Sequence, residues 1–399
     1  MIYKKLKLRE CCLSISDGDH QPPPKQKQGI PFITISNFDN INNILFSNCM
    51  YVSEEYYESL PSIKKAQKGD ILYSVVGSFG IPILIKDDDK FVFQRHIAIL
   101  RPNREVVLPE YLYYLLLNPD FYRLADKYAI GAAQRTISLE SLRNIEVNIH
   151  TMDEQIKIVN QLSVIDRKIM NNRTINDNLS KMIEITYNHM FVRSELPSSW
   201  LNQKLSDVIL QINTGLNPRD NFCLGDGTIR YITVKNLTTN GTLDFSNCDT
   251  INQSARQIIH NRSDIAIGDI LFASIAPLGR CFLIQTPPTD WDINESVFSI
   301  RANTQLVSSE YLYSYFMSEH FITKAQSSST GSIFKGIRIG TLLDMDITIP
   351  PITLVNEFTS KTKSLFKAKQ RSFDESQQLI KLRDWLLPML MNGQATIDD

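Results

Sequence analysis

The sequence is written twice. GDIL at 69–72 returns at 268–271 and FSNC at 46–49 returns at 245–248; 268 − 69 and 245 − 46 are both 199. Weaker echoes keep nearly the same spacing: FITISNF (32–38) with YITVKNL (231–237), and EYLYYLL (110–116) with EYLYSYF (310–316). KLREC (7–11) matches KLSDV (204–208) at 197, and GAAQRTI (131–137) matches GSIFKGI (331–337) at 200, so the similarity runs from end to end with small insertions. Independent strand-forming tetrapeptides would scatter these offsets. A duplication therefore constrains the fold before any single element does, and two diverged copies of one module imply two related but different surfaces for one extended partner.

A chain of 399 residues has room for two or three domains, each with its own core. With 43% hydrophobic and 21% charged residues it has a globular composition. MIYKKLKLRECC contains no apolar run, so no signal peptide is expected. No stretch has the roughly 18 apolar residues of a membrane helix, and a cytoplasmic, membrane-free protein is expected. The six cysteines include no CxxC pair and read as buried apolar residues rather than a disulfide framework. The net charge of −1 argues against a chain that binds nucleic acid over its whole surface. Basic and polar residues do cluster locally, in HQPPPKQK (20–27), Arg95-His96, Gln134-Arg135 and Lys335 with Arg338. The acidic run DDDK (87–90) reads as a solvated hairpin turn.

Each half divides into a globular part and a helical tail. Short β-rich runs (FITIS, DILYSVV, IPILI, FVF, IAIL) alternate with turns, and a helix follows Pro109; YITV, DILFASI, CFLI, VFSI and SEYLYSYFMS repeat that order. The tails have helical spacing. The first stripe is Ile158, Leu162, Ile165, Ile169, Leu179 and Ile183; the second includes Phe358, Leu365, Leu379, Leu382 and Leu386. Polar residues interrupt both stripes at equivalent places, Asn172 and Asn176 in one and Ser372 and Ser376 in the other. Helices of about 38 residues would be roughly 55–60 Å long. Two so matched are expected to pair with each other as an antiparallel coiled coil, related by a pseudo-twofold, with the interruptions fixing register. The expected fold is α+β, with two mixed, strand-rich modules and boundaries at 1–152, 153–193, 194–352 and 353–399.

Motifs for chemistry are missing. NPDF (118–121) lacks the second proline of an adenine-methyltransferase motif and follows a helix, so it reads as a helix-ending Asn-Pro. GSIFKG (331–336) lacks the Lys-Ser/Thr of a phosphate loop. The six histidines form no HExxH and no metal or triad pattern. The expectation is a non-catalytic chain with no metal and no cofactor of its own.

ELPSSWLNQKLSDVI (195–209) resembles the start of a target recognition domain in the specificity subunits of type I restriction-modification systems. GDIL followed by GSFG (77–80) or APLGR (276–280), IPPITLVNEF (349–358) and LLPMLMNGQATI (386–397) are similar to later blocks of that family, in the family's order. The family's Pro-Pro-Leu-x-Glu-Gln appears only as HTMDEQ (150–155) and PPITLVNEF (350–358). The resemblance implies that each module reads a short half-site of double-stranded DNA and that the helix pair sets the gap between half-sites. It also implies that the pair docks two methyltransferase subunits, which hold S-adenosylmethionine, and that motor-nuclease subunits join the complex. One helical turn of DNA is about 34 Å, within reach of such a rod.

Arg and Lys suit guanine edges or phosphates, and Asn and Gln suit adenine. The candidate DNA contacts, chosen by loop position, are His20, Lys25, Lys27, Ser78, Arg95, Gln134 and Arg135 in the first module. In the second they are Arg219, Lys235, Asn236, Arg280, Lys335 and Arg338. Other classes remain: a stand-alone bipartite DNA-binding regulator would bind tightly without partners, and an enzyme with its own methyltransferase or nuclease site would act alone.

Overall fold

The computed structural model describes residues 3–18, 23–39, 42–46, 49–132, 134–192, 197, 199–246, 248–328 and 336–395. His20, Lys335, parts of both FSNC copies and of ELPSSW, and most of GSIFKG lie outside the described residues.

The repeat in sequence is a repeat in topology. Each module has a four-stranded antiparallel sheet, Cys12–Asp17, Ile97–Pro102, Ile71–Ser74 and Pro82–Leu84 in spatial order in the first. The second has Ile209–Thr214, Val297–Ala302, Ile270–Ala273 and Cys281–Leu283 in the same order. A three-stranded sheet places Ile30–Ile33 between antiparallel Met50–Val52 and parallel Val92–Phe93; its counterpart is Ile229–Ile232 between Asp249–Ile251 and Trp291–Ile293. Strand pairs Lys4–Lys7 with Glu146–Ile149, and Leu201–Lys204 with Asp346–Ile349, tie the ends of each module together.

GDIL shows why these strands form. The glycine enters from positive φ, +93° at Gly69 and +91° at Gly268. The Asp side chain closes the turn by accepting from the backbone N–H of Gln67 (2.9 Å) or Ala266 (2.9 Å). The strand that follows is buried at every position in both copies. That buried Asp also receives a half-buried arginine: Arg101 on Asp70 at 2.8 Å and Arg301 on Asp269 at 2.7 Å. DDDK is solvated, but it is not a hairpin: the strands it joins, Pro82–Leu84 and Val92–Phe93, belong to different sheets. Residue alternation carries no information on which sheet receives a strand.

The Asn-Pro of NPDF is a helix junction. Asn118 ends the helix Pro109–Leu117 and caps Pro119–Asp126, its Oδ1 accepting from Asp120 N–H at 3.0 Å. All six cysteines are free; Cys11, Cys12 and Cys281 are buried, Cys49 and Cys248 half-buried, and Cys223 exposed on its loop.

The tails are helices of 40 residues, Met152–Phe191 and Ile352–Met391. Thr151 and Glu154 form a reciprocal cap at the start of the first. The chain divides into two compact units, residues 1–168 with 378–399, and residues 169–377, so each long helix lends one end to each unit. In the first unit Ile158 and Leu162 share a core with Leu387, Leu390 and the first module. In the second, Phe358 meets Tyr187 and Phe191, with ring centroids 6.0 and 5.3 Å apart, while Asn172 meets Glu375 and Ser372. Advancing along one helix thus means retreating along the other, the sense of an antiparallel pair. Ile158, Leu162, Ile165, Ile169, Ile183 and Phe358 are buried, and Leu179, Leu365, Leu379 and Leu386 half-buried. Leu382 departs from the expected stripe: it is 42% exposed, and Arg383, paired with Asp166, takes the inward place beside it. The polar interruptions are buried at Asn172, Asn176 and Ser372.

Candidate nucleic-acid interface

Backbone hydrogen bonds gather the loops at one end of each module into a rim. In the first, Gly18 N–H donates to Ile97 O (3.3 Å), Gln94 N–H to Ile33 O (3.1 Å) and Val75 N–H to His96 O (2.9 Å). Ile137 N–H reaches Val75 O (3.0 Å) and Gly77 N–H reaches Arg135 O (3.0 Å). The turn 94–96 is thereby central, with loop 76–80, loop 130–136 and the chain leaving Gly18 around it. The second module repeats three of these bonds, Asn294 to Ile232 O (2.8 Å), Ser274 to Ser296 O (3.1 Å) and Ile337 to Ser274 O (2.8 Å), while Gly215 reaches Asn294 O (3.2 Å) in the turn itself. Close packing requires glycine at one shared position: a Cβ on Gly18 would stand 2.0 Å from Phe93 O, and on Gly215 1.7 Å from Ile293 O.

This rim brings together Ser78, Arg95 and Gln134, all exposed, and Arg135. Arg135 is not a free cation: its guanidinium binds Asp126 Oδ1 at 2.6–2.8 Å and the Asp126 carbonyl at 2.6 Å, which also closes the loop. Lys25 and Lys27 are exposed but stand apart, flanking the Gln26–Tyr51 bridge at the edge of the three-stranded sheet.

In the second module Arg219, at φ +20° in a turn after Pro218, is exposed on the loop leaving Gly215. Lys235 is exposed just beyond the end of Ile229–Ile232, and Arg338 is exposed ahead of the helix Ile339–Leu343. Asn236 faces inward instead. It is 4% exposed, its Oδ1 accepts from Thr233 N–H and hydroxyl, and its amide donates to Asp244 O. Asn37 makes the corresponding bonds to Thr34 and Leu45 in the first module, so this asparagine shapes the loop. Arg280 is half-buried, donates to Leu237 O at 3.1 Å and has a buried Nε without a hydrogen-bond partner; burial pulls its pKa down.

What sequence reasoning missed is an exchange. Glu295 stands at the tip of the turn 294–296, where the first module carries Arg95. The repeat offset of 200 in this region was sufficient signal to find it. Among the described residues no group of three His, Cys, Asp or Glu side chains converges as a metal set, and no described helix is long and apolar enough to cross a membrane.

Two equivalent loop rims on one repeated scaffold, with different side chains at matching places, define a duplicated recognition protein. The chain belongs to the family of type I restriction modification DNA specificity domains, which matches it twice, at residues 16–181 and 197–354. It is similar to the type I restriction enzyme MjaIX specificity subunit of Methanocaldococcus jannaschii, at 22% identity over 96% of this chain and 91% of that one. It is also similar to the HindI specificity subunit of Haemophilus influenzae, at 22% identity over 90% and 94%. The solved structure of a type I restriction-modification S subunit from M. genitalium shares the fold, with TM-score 0.54 at 15% identity over 98% of this chain and 96% of that one. The function is accordingly DNA sequence specificity within a type I restriction-modification system.

Proposed function

We propose that the two rims read two different half-sites of one asymmetric, bipartite DNA target, and that the paired long helices act as the ruler between them. The observation that carries this reading is the same rim built twice with different side chains. Lys235, Arg219 and Arg338 around one rim, and Arg95, Ser78 and Gln134 on the other, supply phosphate and base partners. Lys25 and Lys27 would meet the backbone from the module edge.

In this reading the chain is non-catalytic and cytoplasmic and holds no cofactor. Two methyltransferase subunits, carrying S-adenosylmethionine, dock along the helix pair as a coiled-coil platform, and motor-nuclease subunits complete the assembly. The methyltransferase flips an adenine from the stack, and this chain selects which one. Genome-wide mapping of N6-methyladenine in cells expressing the chain with its methyltransferase, against cells lacking only the chain, tests it. A new split motif with a fixed gap is the expected result. Unchanged methylation with an active, chain-bound methyltransferase would overturn it.

A further inference from the structure

We propose that the tip of the central rim turn, Arg95 in the first module and Glu295 in the second, reads a base edge with opposite hydrogen-bonding polarity, Arg95 selecting a guanine and Glu295 the amino group of a cytosine. This rests on the function proposed above.

The argument begins from position. The turns 94–96 and 294–296 are held by the same backbone bonds, to Ile33 and Val75 in one module and to Ile232 and Ser274 in the other, so their tips are presented alike. Both tip side chains are exposed. In the second module the strand leading into the turn is anchored from within: Asp292 is fully buried and accepts from the Ser263 hydroxyl (2.7 Å) and its neighbour's N–H (2.9 Å).

Chemistry then separates the two tips. An arginine only donates and fits the two acceptors of guanine in the major groove. An ionised glutamate only accepts, and phosphates repel it. A carboxylate at the centre of a DNA-facing rim is therefore favourable only against an exposed amino donor, and cytosine N4 is the partner its geometry suits. Elsewhere it penalises the wrong base, which itself contributes to specificity. The carboxylate also stands beside the Tyr231 hydroxyl, whose counterpart in the first module, Phe32, has no hydroxyl. The hydroxyl donates to Leu216 O at 2.6 Å, so the carboxylate is not needed to satisfy it.

The test uses the full chain co-expressed with its methyltransferase, with methylome mapping for wild type, Glu295→Gln, Glu295→Arg and Arg95→Glu. A base contact of about 1–3 kcal/mol corresponds to roughly 5- to 150-fold. Glu295→Gln is expected to reduce methylation of the original target by that factor and to shift one base pair of one half-site from C·G toward A·T. Glu295→Arg should shift the same position toward G·C, and Arg95→Glu should alter only the other half-site. An unchanged motif and efficiency in both Glu295 variants would overturn the inference while leaving the split motif of the wild type, and hence the proposed function, standing. Equal loss of affinity for all DNA, or loss of complex assembly in Glu295→Gln, would make the carboxylate a support for the turn and would equally overturn it. No split motif in the wild type would remove the functional reading itself.

Discussion

The helices Pro109–Leu117 and Ser309–Met317 occupy the same place in the two modules, yet each is seated on the long helices by a different force. In the first unit the Tyr114 hydroxyl donates to Asp166 (2.8 Å), and Arg383 reaches the other oxygen of the same carboxylate (3.1 Å). Burial, then the Asp166 charge, pushes the Tyr114 phenol far above its ordinary pKa. At the repeat-equivalent places the second unit has Ser314, Phe366 and Ile183. There the ring of Tyr313 packs edge-on against Phe366 at 5.6 Å, and Tyr187, Phe191, Phe358 and Tyr311 form an aromatic cluster. Where Ser314 replaces a tyrosine, a cavity of about 290 Å³ remains between Ile183, Tyr187, Asn240, Met317 and Lys369. Duplication has preserved where the module sits, while the interaction holding it there has been free to change from an ionic network to aromatic packing.

The largest effect should come from breaking that asymmetry. Tyr114→Ser in the first unit removes a buried ring and a hydrogen bond from Asp166 and should destabilise by about 4 kcal/mol, read as protection lost by hydrogen exchange in residues 1–168. An effect below about 1 kcal/mol would mean that the ionic seat contributes little. The GDIL aspartates are a shared support that the second module reinforces with one more carboxylate, Asp264. Asp70→Asn leaves the half-buried Arg101 without its counter-ion and should cost about 3 kcal/mol in thermal unfolding, whereas Asp269→Asn should cost less, because Arg301 keeps Asp264 at 3.3 Å. Equal costs would show that Asp264 contributes nothing to holding Arg301.

Lys369 sharpens the comparison further. Its ammonium, 5% exposed, donates to Asn240 O (2.5 Å) and lies near the Tyr313 hydroxyl; burial lowers its pKa to about 8. Below pH 8 folded and unfolded chains both carry the charge, and the burial penalty is complete. Between pH 8 and 10.5 the folded chain sheds a proton that the unfolded chain keeps, so stability rises with pH through that window. Lys369→Met should therefore stabilise at pH 7 by up to about 3 kcal/mol, and its advantage should fade toward pH 10.5. A pH-independent difference between the variants would refute the assignment.

Two smaller changes complete the series. Ser314→Tyr, which imports the first unit's residue into the cavity, should shift stability by no more than about 1 kcal/mol, since no carboxylate replaces Asp166 there. Arg135→Ala should leave the fold within about 1 kcal/mol, because its pair with Asp126 is partly exposed to solvent, yet weaken DNA binding. Unchanged affinity would leave this arginine with loop closure alone.

Several features were legible from the residues because their causes are local. Offsets near 199 announced the duplication. Helical spacing located both long helices, and Asn118 with Pro119 marked a junction between two short helices through a cap two residues long. The Arg95-to-Glu295 exchange was equally present in the repeat. Tertiary structure alone decided which loops share a rim, because backbone bonds such as Val75 to His96 and Ile137 to Val75 join segments distant in sequence. It also turned Asn236 inward, tied Arg135 to Asp126, carried DDDK between two sheets, and placed Lys369 under a cavity. A side chain's type states what it can bond, and its local spacing states which element it rides on. Whether that bond is spent inside the fold or offered to DNA depends on partners that only the folded chain brings near.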